Sequence, residues 1–161
     1  MDGGTRSEDA EAIRDLLHHY SFCVDSRRPG RLDEVFAESV EARYGYGEDG
    51  VWHGVAAVID GIEGLLAPLA GTAHMLSNVR VEATGDAATS SAYVSAWHWV
   101  EAPGGPTERP ADFLFTCAYL DDLERREEGW RIVRRRLRRL GPTALTAGTM
   151  PDHMRPAEAG R

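Results

Sequence analysis

At 161 residues, with 42% hydrophobic and 27% charged side chains, the chain has the size and composition of one globular domain. A formal net charge of −8 argues against a nucleic-acid backbone as partner, and the two cysteines, Cys23 and Cys117, lack metal-ligand spacing or the makings of a disulfide framework. The opening MDGGTRSEDAEA has no apolar signal-peptide core, and no apolar run approaches the ~20 residues of a membrane span, so a cytoplasmic setting is expected.

Residues 1–7 read as a loose tail, with Ser7 as N-cap and Glu8, Asp9 and Glu11 at the end of the first helix that favours negative charge. Ile13, Leu16, Leu17, Tyr20 and Val24 form an apolar stripe at helical spacing, which predicts a helix ending near Asp25 and Ser26. The segment RLDEVFAE predicts a second, shorter helix burying Leu32, Val35 and Phe36. Residues 40–46 have strand composition and are followed by a turn at Gly45, Gly47 and Gly50. A third helix over residues 54–66 would bury Val55, Val58, Ile59, Ile62 and Leu65.

Residues 71–99 then predict a β-hairpin turned at Gly85 and Asp86. By period-two alternation Met75, Ser77, Val79 and Val81 share one face of the first strand, and Tyr93, Ser95, Trp97 and Trp99 share one face of the second. His74 and His98 lie on the opposite parity, at the same end of the hairpin, and Asn78 shares the parity of His74. After the loop EAPGGPTERP, two more strands follow, DFLFTCAYLDDL and WRIVRRRLRRL, joined by a charged turn. Helices gathered toward the N-terminus and strands in a meander indicate an α+β domain over residues 8–140, with 141–161 as a mobile tail.

The order of these elements resembles the nuclear-transport-factor-2-like superfamily, in its branch of scytalone dehydratase, bile-acid dehydratases and SnoaL-like polyketide cyclases. The resemblance is carried by YSFCVDS with Tyr20 and Asp25, by RLDEVFAE, by Tyr44, by TAHMLSNV at His74 and by GWRI with the basic residues after it. It implies a cone-shaped curved sheet, mixed or antiparallel, wrapped by three helices into an α+β barrel. It also implies a cofactor-independent dehydratase, cyclase or isomerase acting on a hydrophobic polycyclic or polyketide-like substrate, of the kind met in antibiotic biosynthesis.

In the resembling dehydratases the histidine matched by His74 is the general acid/base, oriented by the aspartate matched by Asp25. A carboxylate that accepts from one ring nitrogen leaves the other free to move a proton near neutral pH. Asp25 itself is a misfit at a helix C-terminus, where the dipole disfavours negative charge. His98 is a second catalytic candidate, and Tyr20 a further one as a hydrogen-bond donor. Tyr44 or Tyr46, Asn78 and Arg135 are the candidates for holding substrate. Most of the run Arg131, Arg134, Arg135, Arg136, Arg138 and Arg139 reads as solvated charge guarding a strand, with Arg135 or Arg136 turned inward to hold an anionic group. His18, His19 and His53 read as surface or rim residues, and Trp130 as core. Cys117 would need a paired base to act as a nucleophile.

No phosphate loop, G-x-S-x-G, H-E-x-x-H or C-x-x-C motif is present, and neither cofactor nor metal is expected. A homodimer through the Trp97 and Trp99 face is expected, with no nucleic acid or membrane as partner. Two rival readings are a non-catalytic assembly subunit, similar to the small subunits of ring-hydroxylating dioxygenases, and an epoxide hydrolase. The latter needs two carboxylates and an arginine around one water, and Asp25 has no obvious second carboxylate near it.

Overall fold

A 23-residue helix, α1 (Gly3–Asp25), buries Ile13, Leu17, Tyr20 and Val24 along the stripe that the sequence marks. The structure, a computed structural model, describes residues 3–45, 50–103 and 105–145. No proline interrupts residues 3–7, so α1 starts at Gly3 and Ser7 lies inside it rather than capping it. Among the described residues no helix is long and apolar enough to cross a membrane.

The second helix is a 3-10 turn, Pro29–Glu34, and the sheet begins at once with β1 (Phe36–Arg43). Leu32, Val35 and Phe36 are buried as expected, but by different geometry. Val35 accepts from the Ile132 N–H and Phe36 pairs with Ile132, so a long-range ladder takes a segment that local pattern assigns to a helix. Next come the short β2 (Val51–His53), which the sequence pattern does not foreshadow, and α2 (Val55–Leu66). Gly61 of α2 is there for space: a Cβ would come within 2.5 Å of the Trp52 ring, which stacks on Tyr44.

Four long strands complete the domain: β3 (Leu69–Thr84), β4 (Ala87–Val100), β5 (Phe113–Arg126) and β6 (Gly129–Arg139). They form a meander, and the sheet order is β2-β1-β6-β5-β4-β3, with β1 and β6 parallel and the remaining neighbours antiparallel. The sheet is therefore mixed and open at β2 and β3. A two-residue strand, β7 (Ala144–Leu145), pairs with Phe113 and Leu114, so the start of the expected C-terminal tail is part of the sheet.

Two bulges decide which side chains face the core. In β3 the register shifts between Ser77 and Arg80, and Asn78 takes a left-handed φ of 51°. His74 and Leu76 face inward before the bulge; Val79, Val81 and Ala83 pack against the core after it. Met75 and Ser77 therefore do not share a face with Val79 and Val81, and Asn78 is exposed instead of lying beside His74. In β6 a shift opposite Asp122 and Leu123 turns both Ile132 and Arg135 inward, although they are three residues apart.

Since Asn78 adopts a φ that glycine accepts freely, Asn78→Gly should leave stability within about 0.5 kcal/mol of the parent. Asn78→Val should cost about 1–2 kcal/mol, read from urea unfolding midpoints. Equal stability of the two variants would mean that the bulge carries no backbone constraint.

Candidate active site

The end of α1 and the start of β3 meet at Asp25. Its Oδ1 accepts from His74 Nδ1 at 2.7 Å and from the Thr72 hydroxyl at 2.8 Å, while Oδ2 accepts from the His74 backbone N–H at 2.8 Å. Thr72 and His74 are two residues apart on a strand, so both reach the same side. Burial pushes the Asp25 carboxyl up, but the bonds and charge of His74 and the Thr72 hydroxyl outweigh it and hold the carboxyl below its usual range. The Asp25 side chain is 27% exposed and that of His74 9%, so this end of the site is open to solvent.

Arg27 fastens the same junction. It leaves the helix with φ 58° and donates from Nη1 to Leu66 O at 2.8 Å and from Nη2 to Leu69 O. Its guanidinium thus sits at the C-terminal end of α2, where the helix dipole favours a cation.

His98 reaches the site from β4, where it pairs with Thr72 across the ladder. Its ring stacks on Phe113 at 4.4 Å and stands edge-on to His74 with 6.0 Å between centroids. The backbone there is fixed by Asp112, whose N–H donates to His98 O and whose carboxylate takes the Val100 N–H and the Arg109 guanidinium. Burial first, and the nearby His74 second, press the His98 imidazole down to about 4, with the Ala96 and Phe113 carbonyls and Asp25 opposing in part. Nδ1 of His98 is buried and has no hydrogen-bond partner among the described residues.

A second cluster lies deeper. Tyr44 donates to the Tyr20 hydroxyl at 2.8 Å, and Tyr20 is only 1% exposed. Arg135 is fully buried, with its guanidinium 4.3 Å from the Tyr20 ring centre and 4.2 Å from that of Tyr119. Its Nε and Nη2 bond both oxygens of Asp121 at 2.8 and 2.7 Å. Arg135 does turn inward, but Asp121 already neutralises it, so it does not offer a free charge to an anion. Burial raises the Tyr20 and Tyr44 phenols well above their ordinary range. Burial also pushes the Cys117 thiol up to about 12, far from a nucleophile.

The structure thus brings Asp25, His74 and His98 together, and separately Tyr20, Tyr44 and Arg135. Asn78 belongs to neither group, and Tyr46 lies outside the described residues. His18 and His53 are exposed, His19 is half-buried and bonded to Glu34, and Trp130 is buried. Sequence reasoning missed Thr72, although its position two residues before His74 was the available signal. It also missed Asp121, which a carboxylate among apolar neighbours in a strand could have marked. Among the described residues no three His, Cys, Asp or Glu side chains converge as a metal ion requires.

The SnoaL-like domain family profile matches residues 5–136. Uncharacterized protein Rv2910c of Mycobacterium tuberculosis is 32% identical over 129 residues, which cover 79% of this chain and 82% of that one. Among solved structures, a candidate scytalone dehydratase from Novosphingobium aromaticivorans aligns with a TM-score of 0.72 at 25% identity, covering 88% of each chain. A hexachlorocyclohexane dehydrochlorinase, LinA type 2, aligns with a TM-score of 0.69 at 21% identity, covering 89% of this chain and 94% of that one, and shares the fold.

The depressed His98 gives a pH dependence with a definite sign. As pH falls below the ordinary imidazole value of 6.5, the unfolded chain binds a proton that the folded chain refuses until about 4. Stability present above pH 6.5 is therefore lost across that window, by on the order of 3 kcal/mol. Asp25, depressed in turn, loses its contribution only as pH falls through the carboxylate range beneath. His98→Phe should flatten the loss between pH 6.5 and 4 in urea midpoints; an unchanged slope would refute a buried neutral His98.

Proposed function

The chain belongs to the SnoaL-like domain family, and we propose that it is a cofactor-independent acid/base enzyme, a dehydratase, cyclase or isomerase. Its substrate in this reading is a hydrophobic polycyclic or polyketide-like molecule of specialised metabolism, met in the cytoplasm. The observation that carries the proposal is the 2.7 Å bond between Asp25 Oδ1 and His74 Nδ1. With Nδ1 committed to the carboxylate, Nε2 of His74 takes a proton from the carbon next to a substrate carbonyl. The electron pair moves onto the carbonyl oxygen as an enolate. Asp25 stabilises the imidazolium without taking its proton.

His98 stays neutral in this scheme. Its ring, 6.0 Å from that of His74, is placed to donate a hydrogen bond to the developing oxyanion or a leaving hydroxyl. Expulsion of a β-hydroxyl then gives dehydration, attack of the enolate on a second carbonyl gives ring closure, and reprotonation elsewhere gives isomerisation. Ala92, Val94 and Ala96 on the inner side of β4, and the cancelled charge of Arg135, favour a neutral, apolar substrate. The likeness to the candidate scytalone dehydratase supports the same reaction class.

Epoxide hydrolysis fits less well. Two further carboxylates are buried: Asp112, whose Oδ2 is taken by the Val100 N–H and Arg109, and Asp121, whose two oxygens are held by Arg135. Asp121 pairs with Ser90 on β4 and His74 with Ala96, six residues apart along that strand. At ~3.4 Å per residue the two rows are roughly 20 Å apart, too far to share one water.

Pairing of two copies through the outer face of β3 and β4 belongs to the same proposal. Met75 is 59% exposed and Tyr93 44%, diagonal to each other across the ladder, with Trp97 half-buried beside them. Sedimentation at micromolar concentration should give a dimer, and Met75→Glu with Tyr93→Asp a monomer; a monomeric parent would refute the pairing.

On a panel of hydroxylated polycyclic ketones, His74→Ala should lower turnover by about a thousandfold and Asp25→Asn by about a hundredfold. Full turnover by His74→Ala on the substrate that the parent converts would end the enzyme reading.

A further inference from the structure

Asp25 is an acceptor with two oxygens, and its three donors do different things. The His74 N–H is part of the backbone and pins Oδ2. The His74 ring nitrogen is the group that the proposed chemistry needs. One bond from the backbone leaves the carboxylate free to swing about its Cβ–Cγ axis, and the ring is free to turn about its own χ2. Only a third, independent donor fixes the plane of the carboxylate, and that donor is Thr72 Oγ1, at 2.8 Å from the same Oδ1 that holds the ring.

The hydroxyl faces an acceptor-only group, so its proton points at Asp25. Thr72 is itself held from both sides. Its backbone pairs with His98 on β4, and the neighbouring Gly71 is backed by Pro106 of the β4–β5 loop, where a Cβ would come within 2.6 Å of the proline ring. A β-branched residue in a strand also has few χ1 choices, so the hydroxyl arrives already aimed.

We propose that Thr72 is a positioning residue for the Asp25–His74 pair: its hydroxyl fixes the carboxylate plane so that Oδ1 stays on the His74 Nδ1 proton. This deepens the proton-transfer reading and rests on it. Thr72 touches neither the reacting carbon nor the leaving group, and acts only through Asp25. The titratable groups that face the carboxylate are His74 on β3 and His98 on β4. Thr72 is also one of the donors that hold the Asp25 carboxyl low against its burial, so the hydroxyl helps keep the pair charged on its acceptor side.

The test needs no substrate. Thr72→Val keeps the shape and the strand preference and removes only the hydroxyl, and Thr72→Ser restores it. In the free protein, the Nδ1-bound proton of His74 should exchange with solvent about tenfold faster in Thr72→Val than in the parent, and return to within about twofold in Thr72→Ser. The Asp25 carboxyl, followed by carbon NMR, should titrate higher in Thr72→Val and return in Thr72→Ser. If Thr72→Val lowers the unfolding midpoint but leaves the His74 proton and the Asp25 titration as in the parent, Thr72 is merely structural and the proposal fails. Should Thr72→Val not fold, Thr72→Ala serves instead: faster exchange and a higher Asp25 titration support the positioning role, and parental values of both overturn it. Turnover by His74→Ala tests the enzyme reading separately, so the two can fail independently.

Discussion

A carboxylate at the C-terminal end of a helix works against the helix dipole, and one that is also partly buried works against desolvation. Asp25 does both, and the surrounding structure answers with three donors from a single strand. Because those donors come from residues 72 and 74 of β3, the carboxylate joins α1 to the sheet at one point in the fold. The same bond that orients His74 therefore also fixes where α1 lies. The proposed function and the packing share one interaction here, and loosening it would change both.

The interior has a second constraint of a different kind. Arg135 and Asp121 are withdrawn from water together, with aromatic rings of Tyr20, Tyr119 and Phe36 about the guanidinium. A buried pair of this sort contributes little net stability, because desolvation offsets most of the attraction, but losing one partner strands a charge. Its effect on the site is subtractive: the one inward arginine of the basic strand is already matched, so the interior presents no unpaired charge from it. An anion brought beside it would leave its hydration without a free cation to compensate.

Helix α1, helix α2 and the four-strand meander were legible because each carries a period of 3.6 or 2 over most of its length. The failures occur where that period breaks. The one extra residue at Asn78 flips the side chains after it, so alternation read through the bulge placed Val79 and Val81 on the wrong side and Asn78 in the site. The shift in β6 did the same to the arginine run, and the choice between Arg135 and Arg136 stayed open for that reason. RLDEVFAE has a helical pattern, but Phe36 pairs with Ile132, ninety-six residues later, and no local window contains that partner. Asp25 and His74 were legible only with the family resemblance, since forty-nine residues separate them and the bond between them is a product of the fold. Asp121 had no such aid.

The two histidines show how one carboxylate divides a symmetric pair. His74 and His98 stand 6.0 Å apart, come from adjacent strands and face the same interior. Only His74 has Asp25 against its ring. His98 has instead the face of Phe113 and a sealed Nδ1, and its burial and the charge that would develop on His74 both press it toward the neutral form. Two imidazolium ions at this separation would repel, and only the ring of His74 has a carboxylate against it to offset a charge. In the proposed reaction the proton therefore goes to His74, with the buried His98 beside it as a neutral ring.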